Sequence, residues 1–155
     1  MRITQRDLYA SLASHDVRYL VIGGVAAVAY GVNRHTQDID VIIEATLENA
    51  EALLQALREI GMGTAHLIDP QDLLAQEVVI FDEMPRLDVQ TRTPGIIFSE
   101  AWARRSTGEF EGARIYILSL DDLIASKEAA GRPKDLDDLA ILRRIASGEL
   151  TGDDA

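Results

Sequence analysis

Hydrophobic and polar positions recur along this chain with two different periods, and these periods predict its secondary structure. Short β-branched and apolar runs that end in glycine, proline or polar residues predict strands. Longer segments whose apolar residues recur every three or four positions predict helices. Strands are predicted at residues 18–22, 38–43, 78–81, 86–91 and 113–118. Helices are predicted at residues 5–15, 24–30, 47–60, 70–74, 98–105, 120–130 and 134–146.

Capping residues mark the ends of several predicted helices. Thr4 and Ser119 each precede an aspartate by three positions, which is typical of a helix N-terminus whose free N–H groups are capped. Thr46 is placed to cap another helix, and glycine follows the predicted helix ends at Gly61 and Gly131. Local hydrogen bonding is therefore expected to set these boundaries.

The order of the predicted elements indicates the fold class. Helices and strands alternate without an internal repeat or a convincing linker, which favours an α/β or α+β fold with one small mixed sheet flanked by helices. We expect a single domain over residues 1–148 and a short acidic tail over residues 149–155.

Composition narrows the function classes. The 155 residues are 47% hydrophobic and 26% charged, with no cysteine and no apolar run long enough to span a bilayer. The first ten residues lack the features of a signal peptide, so we expect a cytoplasmic protein without a membrane partner. A net charge of -11 disfavours a large sequence-independent surface for nucleic acid, although an RNA end in a local basic pocket remains compatible with it.

The segment from Tyr19 to Glu44 carries the first candidate site. Gly23 and Gly24 follow a predicted strand and open a helix, where a tight turn leaves room for phosphate against the first helical amides; a plain packing turn is the alternative. Asp38 and Asp40 begin the next strand and point to one side of it. We expect the two strands to be parallel neighbours, with the acids near the turn.

A third acid, Asp88, lies in the middle of a later predicted strand. Leu87 and Val89 share one face of that strand, and Asp88 shares the other with Arg86 and Gln90. It is either the remaining carboxylate of the site or an acid paired with Arg86.

Acids gathered on one face of a sheet are costly to bury unless a cation compensates them. Mg²⁺ is the natural partner, or Mn²⁺ in its place, because it takes one or two carboxylates and completes its shell with waters and substrate phosphates. Three acids are able to hold two metals for an in-line displacement at phosphorus. The expected metal ligands and catalytic residues are Asp38, Asp40 and Asp88.

These elements resemble the signature of the DNA polymerase β-like nucleotidyltransferase superfamily: a glycine turn opening a helix, an Asp-x-Asp strand and a later single aspartate. Arg34 and Thr36 ahead of Asp38 make the segment similar to the bacterial minimal nucleotidyltransferases and the AbiEii-type toxin group. The run DDLIASKEAAGRPKDLDDL, from Asp121 to Leu139, is similar to the C-terminal motif of that group.

The resemblance implies roles for individual residues. Those implied to bind the nucleotide are Gly23, Gly24, Arg34, Thr36 and Lys127. Asp88 would also help to deprotonate an acceptor hydroxyl, and Lys127 would reach phosphate or position the acids. Further candidates are Arg132, Lys134, Asp135 and Asp138. Lys134 and Asp138 are also spaced as a surface ion pair on one helix face.

The implied activity is transfer of a nucleoside monophosphate from a nucleoside triphosphate to a hydroxyl group. The acceptor is a protein, an RNA end or a small molecule, and the group resembled suggests a toxin–antitoxin pair, with a homodimer or a partner protein as the assembly. A non-catalytic nucleotide-binding or interaction module is the alternative. A haloacid dehalogenase-like phosphatase is disfavoured because the acids begin a strand, and a Rossmann dinucleotide binder because the third glycine is missing.

Overall fold

Helices surround a single sheet in the computed structural model, which describes residues 2–150. Seven α-helices and one 3-10 helix (Gly63–Leu67) lie in this range. The α-helices are α1 (Gln5–Ser14), α2 (Gly23–Tyr30), α3 (Leu47–Glu59), α4 (Pro70–Leu74), α5 (Phe98–Ala103), α6 (Leu120–Ala130) and α7 (Pro133–Ala146). Every predicted helix is confirmed, and no helix end differs from its predicted position by more than two residues. The 3-10 helix was not predicted.

The predicted helix caps are confirmed in atomic detail. The backbone N–H of Asp7 donates to Thr4 Oγ1 at 3.1 Å, and the N–H of Thr4 donates to Asp7 Oδ2 at 2.9 Å. The hydroxyls of Thr46 and Ser119 each accept from the N–H three residues further on. Gly131 ends α6 in the left-handed conformation, with φ of +65°.

Six strands within residues 2–150 form one mixed sheet in the order β3-β4-β2-β1-β6-β5. They are β1 (Tyr19–Ile22), β2 (Ile39–Ile43), β3 (Val78–Phe81), β4 (Leu87–Gln90), β5 (Ser106–Phe110) and β6 (Ala113–Ile117). The expected fold class is confirmed. Strand β5 was missed because its sequence, STGEF, has one large apolar residue, and it is held as an edge strand by antiparallel pairing to β6.

The pairing of β1 with β2 corrects one expectation. The two strands are antiparallel rather than parallel, and Ile22 lies opposite Asp40. Antiparallel neighbours bring the end of one strand beside the start of the other. The glycine turn after β1 therefore meets the acids at the start of β2, whereas parallel pairing would have placed them at opposite ends.

Alternation along the strands separates a buried face from the face that carries the acids. Ile39, Val41, Leu87 and Val89 are completely buried in the core. Asp40 and Asp88 lie between them in sequence and point to the opposite face. Helices α2, α6 and α7 contact one another, and residues of α6 and the start of α7 line the cleft on this acid-bearing face.

The C-terminal end of the described chain packs onto α7. The N–H groups of Glu149 and Leu150 donate to the carbonyl of Arg144 at 2.9 and 3.2 Å. The rest of the expected acidic tail lies outside the described residues. Between residues 2 and 150, no helix is long and apolar enough to cross a membrane.

Candidate active site

Two carboxylates stand side by side on the open face of the sheet. Asp40 on β2 is in direct register with Asp88 on β4, and these strands are parallel neighbours. Burial is the main cause that raises the pKa of Asp40 to about 6, and the negative charge of Asp88 beside it contributes to the same rise. The two carboxylates therefore concentrate negative charge at one place on this face of the sheet.

Gly23 forms the wall of the site next to Asp40. Its φ is +66°, and a Cβ placed on it would lie 2.5 Å from Asp40 Oδ2. Only glycine allows both this left-handed turn and this close approach. Gly23 therefore keeps the space beside the carboxylate open.

Gly24 has different surroundings from Gly23. It is buried, and a Cβ placed on it would lie 2.9 Å from both Arg34 Nη2 and Thr36 Oγ1. Gly24 lets the segment before β2 cross closely over the start of α2, which is the packing turn we left open. Of the two glycines expected to bind a triphosphate, Gly23 lines the main cleft and Gly24 does not. Arg34 and Thr36 do not line this cleft either.

The main cleft has a volume of about 630 Å³ and contains the two carboxylates. Five acidic and five basic residues line it, although the whole chain carries a net charge of -11. The basic ones are Arg86, Arg92, Lys127, Arg132 and Lys134. Positive charge is thus concentrated beside the acids, as binding of a phosphorylated ligand requires.

A buried ionic network forms the floor of the cleft between α6 and α7. Lys127, Asp135 and Asp138 are only 3%, 1% and 3% exposed. Lys127 Nζ donates to Asp138 Oδ2 at 2.9 Å and to Asp135 Oδ1 at 3.3 Å. Arg34 Nη2 donates to Asp138 Oδ2 at 3.0 Å, and Arg132 Nε donates to Asp135 Oδ2 at 2.6 Å. The network ties both helices to the segment that precedes β2.

Basic side chains neutralise the buried carboxylates of this network. Burial acts to raise the pKa of Asp135, but the hydrogen bond from Arg132 and the charges of Lys127 and Arg132 outweigh burial, and the pKa is lowered. Lys127 is held by two carboxylates, which favours positioning of the acids over direct contact with phosphate. Arg132 remains largely exposed at the cleft while Asp135 fixes its guanidinium.

The suggested surface pair of Lys134 and Asp138 is wrong. Asp138 is buried and bonds to Lys127 and Arg34 instead. Lys134 is exposed in the cleft, where its charge acts to lower the pKa of Asp40. It is therefore available to an anionic ligand.

Arg86 occupies the other side of Asp88. Its Nε donates to Asp88 Oδ1 at 3.0 Å and its Nη2 donates to Asp88 Oδ2 at 3.4 Å. Asp38, whose side chain is 51% exposed, approaches the same Nε at 3.9 Å. Asp88 is thus paired with Arg86 and also lies beside Asp40, so its role as the remaining carboxylate of the site stays a prediction.

The three expected metal ligands do not form one compact group. Among residues 2–150, no set of three or more histidine, cysteine, aspartate or glutamate side chains is arranged to hold a metal ion. Asp40 and Asp88 nevertheless fit a divalent cation, because two carboxylates with a raised pKa on one of them are a donor set that Mg²⁺ takes together with substrate phosphates. Asp38 stands at the rim beside Arg86.

Several residues of the cleft were missed by sequence reasoning. They are Glu77, Gln90, Arg92, Thr93 and Ser126. Gln90 shares a strand face with Asp88, and this alternation was a usable signal. The others lie in loops or on a helix face whose position only the packed structure decides.

A glycine turn that faces two carboxylates on neighbouring strands of a mixed sheet, beneath a basic helical element, belongs to a protein with a nucleotidyltransferase-like fold. The chain belongs to the family described as "Nucleotidyltransferase of unknown function (DUF6036)", whose model matches residues 4–147. No curated protein matches the chain significantly. The family match covers both the glycine turn with its acids and the network on α6 and α7.

Proposed function

We propose that the protein is a metal-dependent nucleotidyltransferase that moves a nucleoside monophosphate from a nucleoside triphosphate to a hydroxyl group. The observation that carries this proposal is the register of Asp40 with Asp88, with Gly23 held against Asp40. Family membership supports nucleotidyl transfer in general. The two carboxylates Asp40 and Asp88 support dependence on Mg²⁺ or Mn²⁺, because such cations are bound by one or two carboxylates together with substrate phosphates.

In the proposed reaction the acceptor oxygen forms a bond to the α-phosphorus while the bond from that phosphorus to the bridging oxygen breaks and pyrophosphate leaves. Asp88 receives the proton of the acceptor hydroxyl, and Asp40 lies beside it on the neighbouring strand. A cation held by Asp40 and Asp88 would supply charge that neutralises the phosphate oxygens. Arg132 and Lys134 bind the triphosphate from the helical side of the cleft, and Gly23 leaves the space it needs.

The experiment that tests the proposal uses each α-labelled nucleoside triphosphate with Mg²⁺ or Mn²⁺ and a cell lysate. Label is expected on a macromolecule or metabolite with the wild-type protein and not with Asp40→Asn or Asp88→Asn. Asp137→Asn is the matched control, because Asp137 is exposed on α7 and outside the cleft. Equal labelling by wild type and both cleft variants would contradict the proposal.

We propose a finer group for the protein from its sequence motifs alone. Arg34, Thr36 and the segment from Asp121 to Leu139 favour the minimal nucleotidyltransferase and AbiEii-type group, and with it a cytoplasmic toxin–antitoxin pair. The acceptor is a protein, an RNA end or a small molecule, and the net charge of -11 disfavours RNA. Size separation of the labelled product identifies which class accepts the nucleotide.

A non-catalytic nucleotide-binding module is the second candidate. It is favoured by the ion pair of Arg86 with Asp88, which engages the carboxylate expected to act in catalysis. In that case each triphosphate would raise the melting temperature in the presence of Mg²⁺, but no label would be transferred under any condition.

A further inference from the structure

The Arg86 guanidinium is the one cationic group within residues 2–150 that forms an ion pair with Asp88. It donates from two nitrogens to both oxygens of this carboxylate, and the same Nε faces Asp38 at 3.9 Å. Arg86 therefore offsets part of the negative charge of the site from within the chain. Its ionic partners among the described residues are these two acids alone.

A divalent cation at this site needs at least one oxygen of Asp88. In the arrangement seen here, both oxygens accept hydrogen bonds from one guanidinium, and its positive charge points at the same carboxylate. Two positive groups at one carboxylate repel each other in a partly buried cleft, where water screens them weakly. Arg86 and the cation are thus competitors for Asp88.

The side chain of Arg86 is also able to move away from Asp88 without disturbing the core. It precedes β4, its side chain is 36% exposed, and its hydrogen bonds from the guanidinium go to Asp88. The buried neighbours Leu87 and Val89 point to the other face of the sheet. Moving the Arg86 side chain therefore breaks an ion pair and leaves these core residues in place.

We propose that Arg86 is an internal counter-ion which a divalent cation displaces from Asp88, so that cation binding frees the guanidinium to contact the phosphates of the nucleotide. The inference rests on the proposed function, because it assumes the cation site at Asp40 and Asp88. It adds a residue that couples cation binding to triphosphate binding within the same cleft.

The test measures the affinity of the protein for Mn²⁺ alone, by calorimetry, for the wild type and the variants Arg86→Gln, Arg86→Lys and Arg92→Gln. Loss of a charge-assisted bidentate contact that competes with the metal is expected to tighten Mn²⁺ binding about tenfold in Arg86→Gln. Arg86→Lys keeps the positive charge but loses the bidentate contact, so it should tighten Mn²⁺ binding less than Arg86→Gln does. Melting temperatures verify that each variant is folded.

Arg92→Gln is the matched control for charge alone. Arg92 lines the same cleft but pairs with Glu77 rather than with the acids. Its removal should tighten Mn²⁺ binding only slightly, and this effect should disappear at high salt because exposed charges are screened. The effect of Arg86→Gln should persist at high salt, because it arises from a direct contact.

A second measurement observes the guanidinium itself. The NMR signal of the Arg86 Nε–H group should shift as Mg²⁺ is added to the wild type, because that group loses its acceptor. An unmoved signal at saturating Mg²⁺, or equal Mn²⁺ affinities for Arg86→Gln and Arg92→Gln at high salt, would overturn displacement and leave the cation site intact. Absence of Mn²⁺ binding in every variant would overturn the cation site and the proposed function with it.

Discussion

Two clusters of charge face the same cleft, and they are built on opposite principles. On the sheet, Asp40 and Asp88 lie side by side, and burial and mutual repulsion raise the pKa of Asp40 to about 6. On α6 and α7, Asp135 and Asp138 are more deeply buried, yet cations satisfy them and the pKa of Asp135 is lowered. The helical cluster is electrostatically complete, whereas the sheet pair keeps a demand for positive charge that a ligand is able to meet.

The largest expected effect comes from breaking the complete cluster. Lys127→Met leaves two carboxylates buried without their central cation, and we expect a loss of about 3–5 kcal/mol in the free energy of unfolding, measured by urea denaturation. Lys134, the only other lysine, is exposed, so Lys134→Met should change stability by less than about 0.5 kcal/mol. Similar losses in both variants would mean that the network is not what holds α6 to α7.

Substitution of Gly23, the residue that lies against Asp40, should have the next largest effect on stability. Gly23→Ala places an alanine at a left-handed φ and puts its methyl group 2.5 Å from Asp40 Oδ2. We therefore expect a loss of about 2–3 kcal/mol in the free energy of unfolding. Gly61→Ala is the matched control, because Gly61 also has a positive φ and a Cβ there would meet no described atom within 4 Å. It should cost about 1 kcal/mol. Equal costs would show that close approach to Asp40 does not constrain position 23.

Removing charge from the sheet pair should stabilise the protein. The folded-state pKa of Asp40 lies above its ordinary value of 3.8, so the native state binds more protons than the unfolded state between pH 3.8 and about 6. Its contribution is present at low pH and is lost as pH rises through the folded pKa. The free energy of unfolding of Asp40→Asn should therefore rise relative to that of the wild type across this window, by about 3 kcal/mol at pH 8.

Urea denaturation at a series of pH values measures this difference between Asp40→Asn and the wild type. A constant difference from pH 4 to pH 8 would contradict the raised pKa. Asp137→Asn, an exposed substitution of the same kind, should leave the pH profile unchanged.

The smallest effect separates the clusters by their response to a cation. Mg²⁺ at ten times its dissociation constant should stabilise the wild type by about 1.4 kcal/mol through binding to the folded state alone. Asp40→Asn should lose this gain, while Asp137→Asn should keep it. Thermal denaturation with and without Mg²⁺ makes the comparison, and a gain that persists in Asp40→Asn would place the cation elsewhere.

Local sequence signals predicted most of the elements, because the interactions that set them span few residues. The Thr4 and Asp7 capping bonds lie within one helical turn, and the alternation around Asp88 belongs to a single strand. Strand β5 was missed because its pairing to β6, rather than its own composition, makes it a strand.

The candidate site was predictable as a set of residue types and not as an arrangement. Asp40, Asp88 and Gly23 were singled out and do line one cleft. Gly24 and Thr36 were expected to bind the nucleotide; neither lines this cleft, and the missing side chain of Gly24 leaves room for Thr36. No local pattern distinguishes a glycine that faces a ligand from one that accommodates a crossing segment.

The sequence by itself determined the helix caps, the strand faces and the identity of the acids, since these depend on contacts between residues close in the chain. Tertiary structure alone decided that β1 and β2 run antiparallel, that Lys127 is buried between Asp135 and Asp138, and that Arg86 holds Asp88. The reason is physical: burial and pairing between residues distant in sequence set the charge balance of each cluster, and that balance distinguishes the neutralised network on α6 and α7 from the acids on the sheet.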